Sequence, residues 1–218
     1  MSLFESASLV VTPNGTKASK LYAIKPTSGA GDLSVTRATT ATRVNSAGLI
    51  ESMAINVPRL DYPPLGGCPR ILVEPERINR VFYSEEFDNG YWSKYSAQVS
   101  ANTTTAPDGT TTADLVYPLT TNPLTGQVYK VITTGITSGD VVTVSVFVKA
   151  SGKNFAYISP VSNFSPGAWF NLSTGAITNP IANVTASMTA FPNDWWRISL
   201  TSTSTSSTTT STTKKIVS

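Results

Sequence analysis

Apolar and polar residues alternate most regularly in the second half of the chain. In VVTVSVFVK, residues 141–149, one face carries Val142, Val144, Val146 and Val148, and the other carries Thr143, Ser145, Phe147 and Lys149. A period of two is that of a half-buried β-strand. Weaker alternation at 154–161, at 168–177 around a turn at 173–175, and at 194–201 predicts further strands. Their spacing is typical of an antiparallel β-sandwich.

The first eighty residues show little such periodicity. Short β-like stretches at 8–12 and 20–24 are separated by turn residues at 13–15 and 29–32. Residues 57–75 contain five prolines, which exclude a helix or a central strand. We therefore predict an extended arm over 1–80 that gains its order from a neighbouring polypeptide, followed by a β-sandwich over 81–218.

Two short stretches carry weaker signals. Residues 84–89, SEEFDN, are the best candidate for a helical turn, with Ser84 as its cap. Residues 201–213 are entirely Ser and Thr, a composition of linkers or of hydroxylated edge strands. We predict that the first half of this run continues the strand over 194–201, and make no prediction for the second half.

Composition and charge narrow the function classes. Charged residues make up only 13% of the chain, about half the usual share, and Thr and Ser replace them. Residues 1–90 hold nine basic and nine acidic side chains, and 91–218 hold seven against four. Because neither half has a basic cluster that tracks a phosphate backbone, nucleic acid is excluded as a partner. The N-terminus lacks a secretory signal and no segment is apolar enough to span a membrane, so we expect synthesis in a cytoplasm without export by a cleaved signal.

Catalytic and metal sites find little support. Cys68 is the single cysteine and histidine is absent, which excludes an intrachain disulfide, a Cys/His zinc site and His-dependent triads. Glu85 and Glu86 are adjacent, but neighbours on an extended chain point apart, so a solvated acidic turn is favoured over a glycosidase pair. We predict a protein that is not an enzyme and has no cofactor. A glycan hydrolase that uses Glu85 or Glu86 is the weakest alternative.

Aromatic residues beside uncharged polar ones suggest a sugar-binding surface. A sugar ring offers an apolar face rimmed by hydroxyls, which suits an exposed flat ring next to Asn, Thr or Ser. The candidate stacking residues are Trp92, Tyr95, Trp169 and Trp195. Trp195 and Trp196 must face opposite sides of a strand, so only one of them lies in the core with Ile198 and Leu200. The alternative is that these rings fill the ends of the sandwich or a subunit contact.

Charged residues near position 75 suggest a protein contact. In EPERINR, residues 74–80, Glu74, Glu76, Arg77 and Arg80 can pair with each other or with another chain. Exposed ion pairs contribute only about 0–1 kcal/mol each, so such a set has more effect at a buried contact.

Five ordered blocks resemble a module of tailed-bacteriophage head-fibre, head-spike and tail-fibre proteins. The blocks are residues 37–42, 56–62, 72–79, 83–92 and 106–114. The part that follows, through DWWRISL at 194–200, is similar to jelly-roll carbohydrate-binding-like domains. Those domains close with a further strand and an aromatic and acidic tail, whereas this chain ends in Ser/Thr and KKIVS. This departure leaves three alternatives for the last strands of the sandwich. They are present, they are supplied by another subunit, or they lie outside this chain, in which case the sandwich is incomplete at its C-terminal end.

The resemblance implies a structural protein of the virion, made in the host cytoplasm. We expect a fibre or spike subunit, on the head more than on the tail, that docks through residues 1–80 on a capsid or tail protein and assembles as a trimer without membrane insertion. The docking residues would be Arg59, Asp61, Tyr62, Glu74, Glu76, Arg77 and Arg80. Tyr91 and Trp92 would begin the sandwich, and 106–114 would turn between its early strands. A host-glycan-binding adhesin is the alternative function.

Overall fold

The chain is mostly β and divides into two compact units. The computed structural model describes residues 2–17, 19–119, 126–132, 135–159, 167–178 and 184–204. Unit 1 is Met1–Glu76 and unit 2 is Arg77–Ser218. Every strand pair among the described residues is antiparallel, which agrees with the predicted fold class. Unit 1 ends at residue 76, four residues before the predicted boundary at residue 80.

Unit 1 consists of one helical turn and three small antiparallel sheets. Its elements are α1 (Leu3–Ser6), β1 (Val10–Lys17), β2 (Lys20–Lys25), β3 (Leu33–Ser34), β4 (Ala41–Val44), β5 (Ile50–Met53), β6 (Leu60–Asp61) and β7 (Arg70–Ile71). The sheets are β1-β2-β3, β4-β5 and β6-β7. The extended arm predicted over 1–80 is not confirmed, because the strands of this region pair with one another in a compact unit.

Two local features of unit 1 differ from the sequence prediction. The residues at 13–15 do not end a strand: β1 continues through them, and its register with β2 shifts between Val11 and Thr16, so the Pro-Asn-Gly stretch forms an irregularity within the strand. The helix α1 was not predicted. It starts with a capping box, in which the Ser2 hydroxyl accepts from the Glu5 N–H and the Glu5 carboxylate accepts from the Ser2 N–H.

Residues 84–89, the best candidate for a helical turn, do not form a helix. This segment forms consecutive turns, in which the N–H groups of Glu86, Asn89 and Trp92 donate to carbonyls three residues back. In a helix capped by Ser84 the Asp88 N–H would donate to the Ser84 carbonyl. It donates instead to the Asp114 carboxylate at 3.3 Å.

Unit 2 contains a β-sandwich and two shorter strand pairs. Its strands are β8 (Ser93–Tyr95), β9 (Ala97–Thr104), β10 (Ala113–Pro118), β11 (Gln127–Tyr129), β12 (Val141–Lys149), β13 (Phe155–Ile158), β14 (Ala168–Asn171), β15 (Ala176–Thr178), β16 (Val184–Phe191) and β17 (Trp195–Thr203). The sandwich sheets are β12-β17-β16 and β13-β14-β15, and the pairs are β9-β10 and β8-β11.

The core of unit 2 lies between the two three-stranded sheets. It is built from the inward faces of β12, β13, β14 and β17, with Val146, Val148, Ala156, Ile158, Ala168, Phe170, Leu172, Ile198 and Leu200 buried. The strand predicted over 141–149 is confirmed with the same bounds. The predicted strands at 154–161, 168–177 and 194–201 correspond to β13, to β14 with β15, and to β17. Jelly-roll topology stays an expectation of the resemblance.

The Ser/Thr-rich run begins as strand. β17 continues through Thr203, which confirms the prediction for the first residues of the run. The prediction that the sandwich is incomplete at its C-terminal end falls on residues 205–218, outside the described part of the chain.

Candidate functional site

An aromatic cluster lies where unit 2 begins. Its members are Phe82, Tyr83, Phe87, Tyr91 and Trp92. The Trp92 ring lies 5.0 Å from Phe87 and 5.7 Å from Tyr91 between ring centroids, and its Nε1 donates to the Tyr83 carbonyl at 2.8 Å. Trp92 is only 3% exposed. A buried ring cannot stack on a sugar, so its assignment as a stacking residue is not supported, and its role is to pack this cluster.

The outer rim of the aromatic cluster faces solvent. Phe82 and Tyr83 are exposed, at 69% and 51%, and the Lys130 ammonium lies 4.2 Å from the centre of the Tyr91 ring. The positive φ of Tyr83 is unfavourable for a bulky residue. The bond from Trp92 to the Tyr83 carbonyl helps to hold it. The sequence prediction missed Tyr83 and Lys130, and only the block at 83–92 pointed to the first of them.

Trp195 is also buried. It is 8% exposed, and its Nε1 donates to the Thr105 carbonyl at 3.1 Å. Trp196 packs against the core with Ile198 and Leu200, which confirms that the two tryptophans face opposite sides. Trp195 therefore lies beneath the loop at Thr105, and its burial argues against the predicted sugar-stacking role.

Two of the four predicted stacking residues remain accessible. Tyr95, on β8, is 57% exposed. Trp169, on β14, is half-buried, and its ring centroid lies 5.1 Å from that of Tyr157. Burial raises the pKa of the Tyr157 hydroxyl, against a smaller opposite effect of its bond with Ser159. Tyr95 and Trp169 belong to different sheets, so each offers a single ring.

An acidic cavity borders the turns before β8. Its volume is about 300 Å³, and it is lined by Glu85, Glu86, Asp88, Asn102, Thr112 and Asp114. The Asp114 carboxylate accepts from the backbone N–H groups of Phe87, Asp88 and Asn102 at 2.7–3.3 Å. It thereby ties the turns to the β9-β10 pair. In the described ranges, no group of three or more His, Cys, Asp or Glu side chains is arranged to hold a metal ion.

Three of the predicted docking residues hold unit 1 together. The Arg59 guanidinium donates to the Thr42 carbonyl at 3.0 Å and pairs with the Glu74 carboxylate at 2.8 Å. The Asp61 carboxylate accepts from the Val44 N–H at 2.9 Å and lies 3.9 Å from Arg70. These side chains connect strands within the unit. The charges of Arg59, Asp61 and Glu74 therefore already interact with groups of unit 1 in the absence of another protein.

The other predicted docking residues are less engaged. Tyr62 is half-buried, and its N–H donates to the Val44 carbonyl at 3.1 Å. Glu76, Arg77 and Arg80 are exposed. The pKa of the Asp140 carboxyl lies below its usual value, chiefly because the Thr137 N–H donates to it at 2.8 Å, with a smaller contribution from the Arg80 charge. Glu74 is exposed as well, at 51% of its side chain, but it is paired with Arg59.

Arginine clamps in unit 1 were missed by the sequence prediction. The Arg37 guanidinium donates to the carbonyls of Thr39 (2.8 Å), Val57 (3.0 Å), Met53 (3.3 Å) and Ala54. Its backbone N–H donates to the Asn56 side chain at 2.8 Å. Arg37 and Asn56 belong to the blocks at 37–42 and 56–62, which was the available signal. Arg37 and Asn56 of these blocks therefore form hydrogen bonds within unit 1.

Arg43 forms a second clamp. It pairs with the Glu51 carboxylate at 2.5 Å and donates to the Leu60 carbonyl at 3.2 Å. Burial tends to raise the pKa of Glu51, but its bonds with Arg43 and Asn45 outweigh that effect, and the pKa lies below the usual value. Glu51 is therefore held as a carboxylate across β4 and β5.

Comparisons with other proteins do not name a family. No known protein family matches this chain, and no curated protein matches its sequence. The indications of its function are therefore the five sequence blocks that resemble phage fibre and spike proteins and the geometry of each unit.

Among the described residues, no helix has the length and apolar character needed to cross a membrane.

Proposed function

We propose that the chain is a non-enzymatic structural protein of a tailed-phage virion, a fibre or spike subunit. It docks through unit 1 on a capsid or tail protein, with the head as the favoured location, and copies of the chain associate with each other. The ordered blocks at 37–42, 56–62, 72–79, 83–92 and 106–114 support this proposal. Three of the five lie in unit 1 or across its boundary.

The docking proposal depends on one observation: many large apolar side chains of unit 1 are exposed and few are buried. Of its described large apolar side chains, only Leu21 and Val44 are buried. Nine are exposed: Leu3, Phe4, Leu9, Tyr22, Ile24, Leu33, Ile55, Leu65 and Val73. Exposed apolar side chains thus outnumber the buried ones by nine to two among those described, and an exposed apolar patch marks an interaction site in a folded protein. The hydrogen bonds of Arg37 and Arg43 hold the strands of unit 1 together, so these side chains are held in place without a partner protein.

Charge placed on this surface tests the proposal. Leu65 and Val73 are 70% and 85% exposed, so Leu65→Asp and Val73→Asp in the full chain leave folding intact. Each removes a side chain whose burial contributes about 1.5–3 kcal/mol, and we expect incorporation into particles to fall by about tenfold. Phe155→Asp, at a 47% exposed position of unit 2, is the matched control. Normal incorporation of both unit 1 variants would contradict the proposal.

A host-glycan-binding role is the second candidate. The exposed ring of Tyr95 and the half-buried ring of Trp169 favour it, since accessible aromatic faces stack on sugars. Binding of purified host surface polysaccharide should then decrease when Tyr95 or Trp169 becomes Ala, with an unchanged melting temperature. Binding that is insensitive to both changes rules these rings out.

A further inference from the structure

One long edge of the sandwich is not paired with any strand in the described part of the chain. β12 is the end strand of the sheet β12-β17-β16, and no described strand pairs with its other side. Proteins usually protect such edges with Pro, bulges or inward charges. β12 has none of these: its nine residues pair with β17 in an unbroken register, and its single charge, Lys149, lies at its end.

The backbone groups that point away from β17 can be assigned. The Ser204 N–H donates to the Asp140 carbonyl at 2.8 Å, and hydrogen-bonded pairs alternate from there along an antiparallel ladder. The Thr143 and Thr201 hydroxyls lie 2.9 Å apart, as expected where opposite residues do not exchange backbone bonds and their side chains are closer. The N–H and C=O groups of residues 141, 143, 145, 147 and 149 therefore face the open edge.

We propose that this edge pairs with the same edge of a second copy, antiparallel, about a two-fold axis at Ser145. In this register residue i lies opposite residue 290 − i of the second copy, so residues 141–149 of both strands are matched in full. Odd residues meet odd residues, and their outward backbone groups complete each other's hydrogen bonds. Val144 meets Val146 of the second copy on the core face, so the apolar face continues across the junction.

The charges of the strand favour this arrangement over a parallel one. The two-fold axis places Lys149 opposite Val141 of the second copy. Val141 is the first residue of that strand and directly follows Asp140. A parallel pairing in register would instead set Lys149 beside its own counterpart, which destabilises a sheet. The inference deepens the self-association in the proposed function. It predicts pairs of copies, which differ from the three that the resemblance implies.

A single cysteine at the axis tests the register. Ser145→Cys is made in a Cys68→Ser background, because Cys68 is the one free and exposed cysteine. Opposite residues of a hydrogen-bonded pair have Cα atoms about 5.5 Å apart, within the range of a disulfide, so mild oxidation should link two chains. Thr143→Cys is the control. Residue 143 lies opposite residue 147 of the second copy, so the positions 143 of the two copies are four residues apart along the paired strands, about 13 Å, and should not link. Thr143 is more exposed than Ser145. Cross-linking by random collision would therefore favour position 143, the opposite of the expected result.

A charge at the axis provides the second test. Ser145→Lys sets two ammonium groups opposite each other, and we expect the dissociation constant of the pair to rise by about tenfold. Ser187→Lys, on the exposed outer face of β16, is the control and should leave association unchanged. The full chain should have twice the 23.1 kDa mass of one copy in solution. A monomer, or equal cross-linking at 143 and 145, overturns the pairing.

The failures of the two proposals are distinguishable. A trimer that does not link through position 145 overturns the edge pairing and leaves docking through unit 1 intact. Normal incorporation of Leu65→Asp and Val73→Asp into particles contradicts docking and does not affect the edge.

Discussion

At the scale of single residues, arginines replace much of the hydrophobic core in unit 1. Arg37 donates to four backbone carbonyls between residues 39 and 57. Bonds from a charged donor contribute about 1.5–3 kcal/mol, and acceptors left unpaired add a cost. Unit 1 should therefore depend on this side chain more than on any exposed apolar one.

Arg37→Ala tests that dependence. We expect the free energy of unfolding of unit 1 to fall by about 2–3 kcal/mol, measured by urea denaturation with a fluorescence probe. Arg70→Ala, at a side chain of unit 1 that is 72% exposed and 3.9 Å from Asp61, should change it by only about 0–1 kcal/mol. Equal effects of the two substitutions would show that the clamp contributes nothing.

The Glu51 carboxylate makes unit 1 sensitive to acid. Its pKa is lowered in the folded state, from an ordinary value of 4.5. The stability that it contributes is therefore present above pH 4.5 and is lost as the pH falls through the folded-state pKa. In Glu51→Gln this part of the acid dependence should disappear. Urea midpoints of the two proteins should converge at low pH, and a constant gap between them at all pH values would contradict the assignment.

Gly175 illustrates a steric requirement at one turn. It has a φ of 74°, and a Cβ there would lie 2.8 Å from Cη2 of Trp196. Gly152 has a φ of 77° with open space around it. Gly175→Ala should cost about 1–3 kcal/mol more than Gly152→Ala, because only the first combines backbone strain with a clash. Thermal unfolding of the two variants measures the difference, and equal melting temperatures would contradict it.

At the scale of elements, the sequence predicts strands where one face is buried by a partner sheet. β12, β14 and β17 were found because burial of their alternate residues imposes a period of two. The best candidate for a helical turn, 84–89, forms turns instead, and the Asp114 carboxylate that holds the N–H groups of Phe87 and Asp88 comes from 26–27 residues away. Local propensity carries no information about such bonds.

The candidate site was predictable only in part. The aromatic residues between 87 and 95 identified the region, but burial decides which rings are accessible. Trp92 and Trp195 make backbone bonds that no spacing reveals. The arginine clamps escaped prediction for a related reason. Apart from Thr39, their carbonyl acceptors lie 16–20 residues away, and no periodic pattern marks them.

At the scale of the whole molecule, the two units reach order by different routes. Unit 2 buries a continuous apolar cluster between two sheets, as ordinary sandwiches do. Each unit exposes nine of its described large apolar side chains, but unit 1 buries only two and unit 2 buries fourteen. Because unit 1 is compact, it does not need a partner to become ordered. Docking is instead favoured by the low share of its apolar side chains that its own fold covers.

Imaging of the intact particle at residue resolution tests docking through unit 1 most directly. The account predicts that unit 1 lies against a capsid or tail protein and that Leu3, Leu65 and Val73 are covered there. A map in which these side chains face solvent while unit 2 makes the attachment would contradict the account.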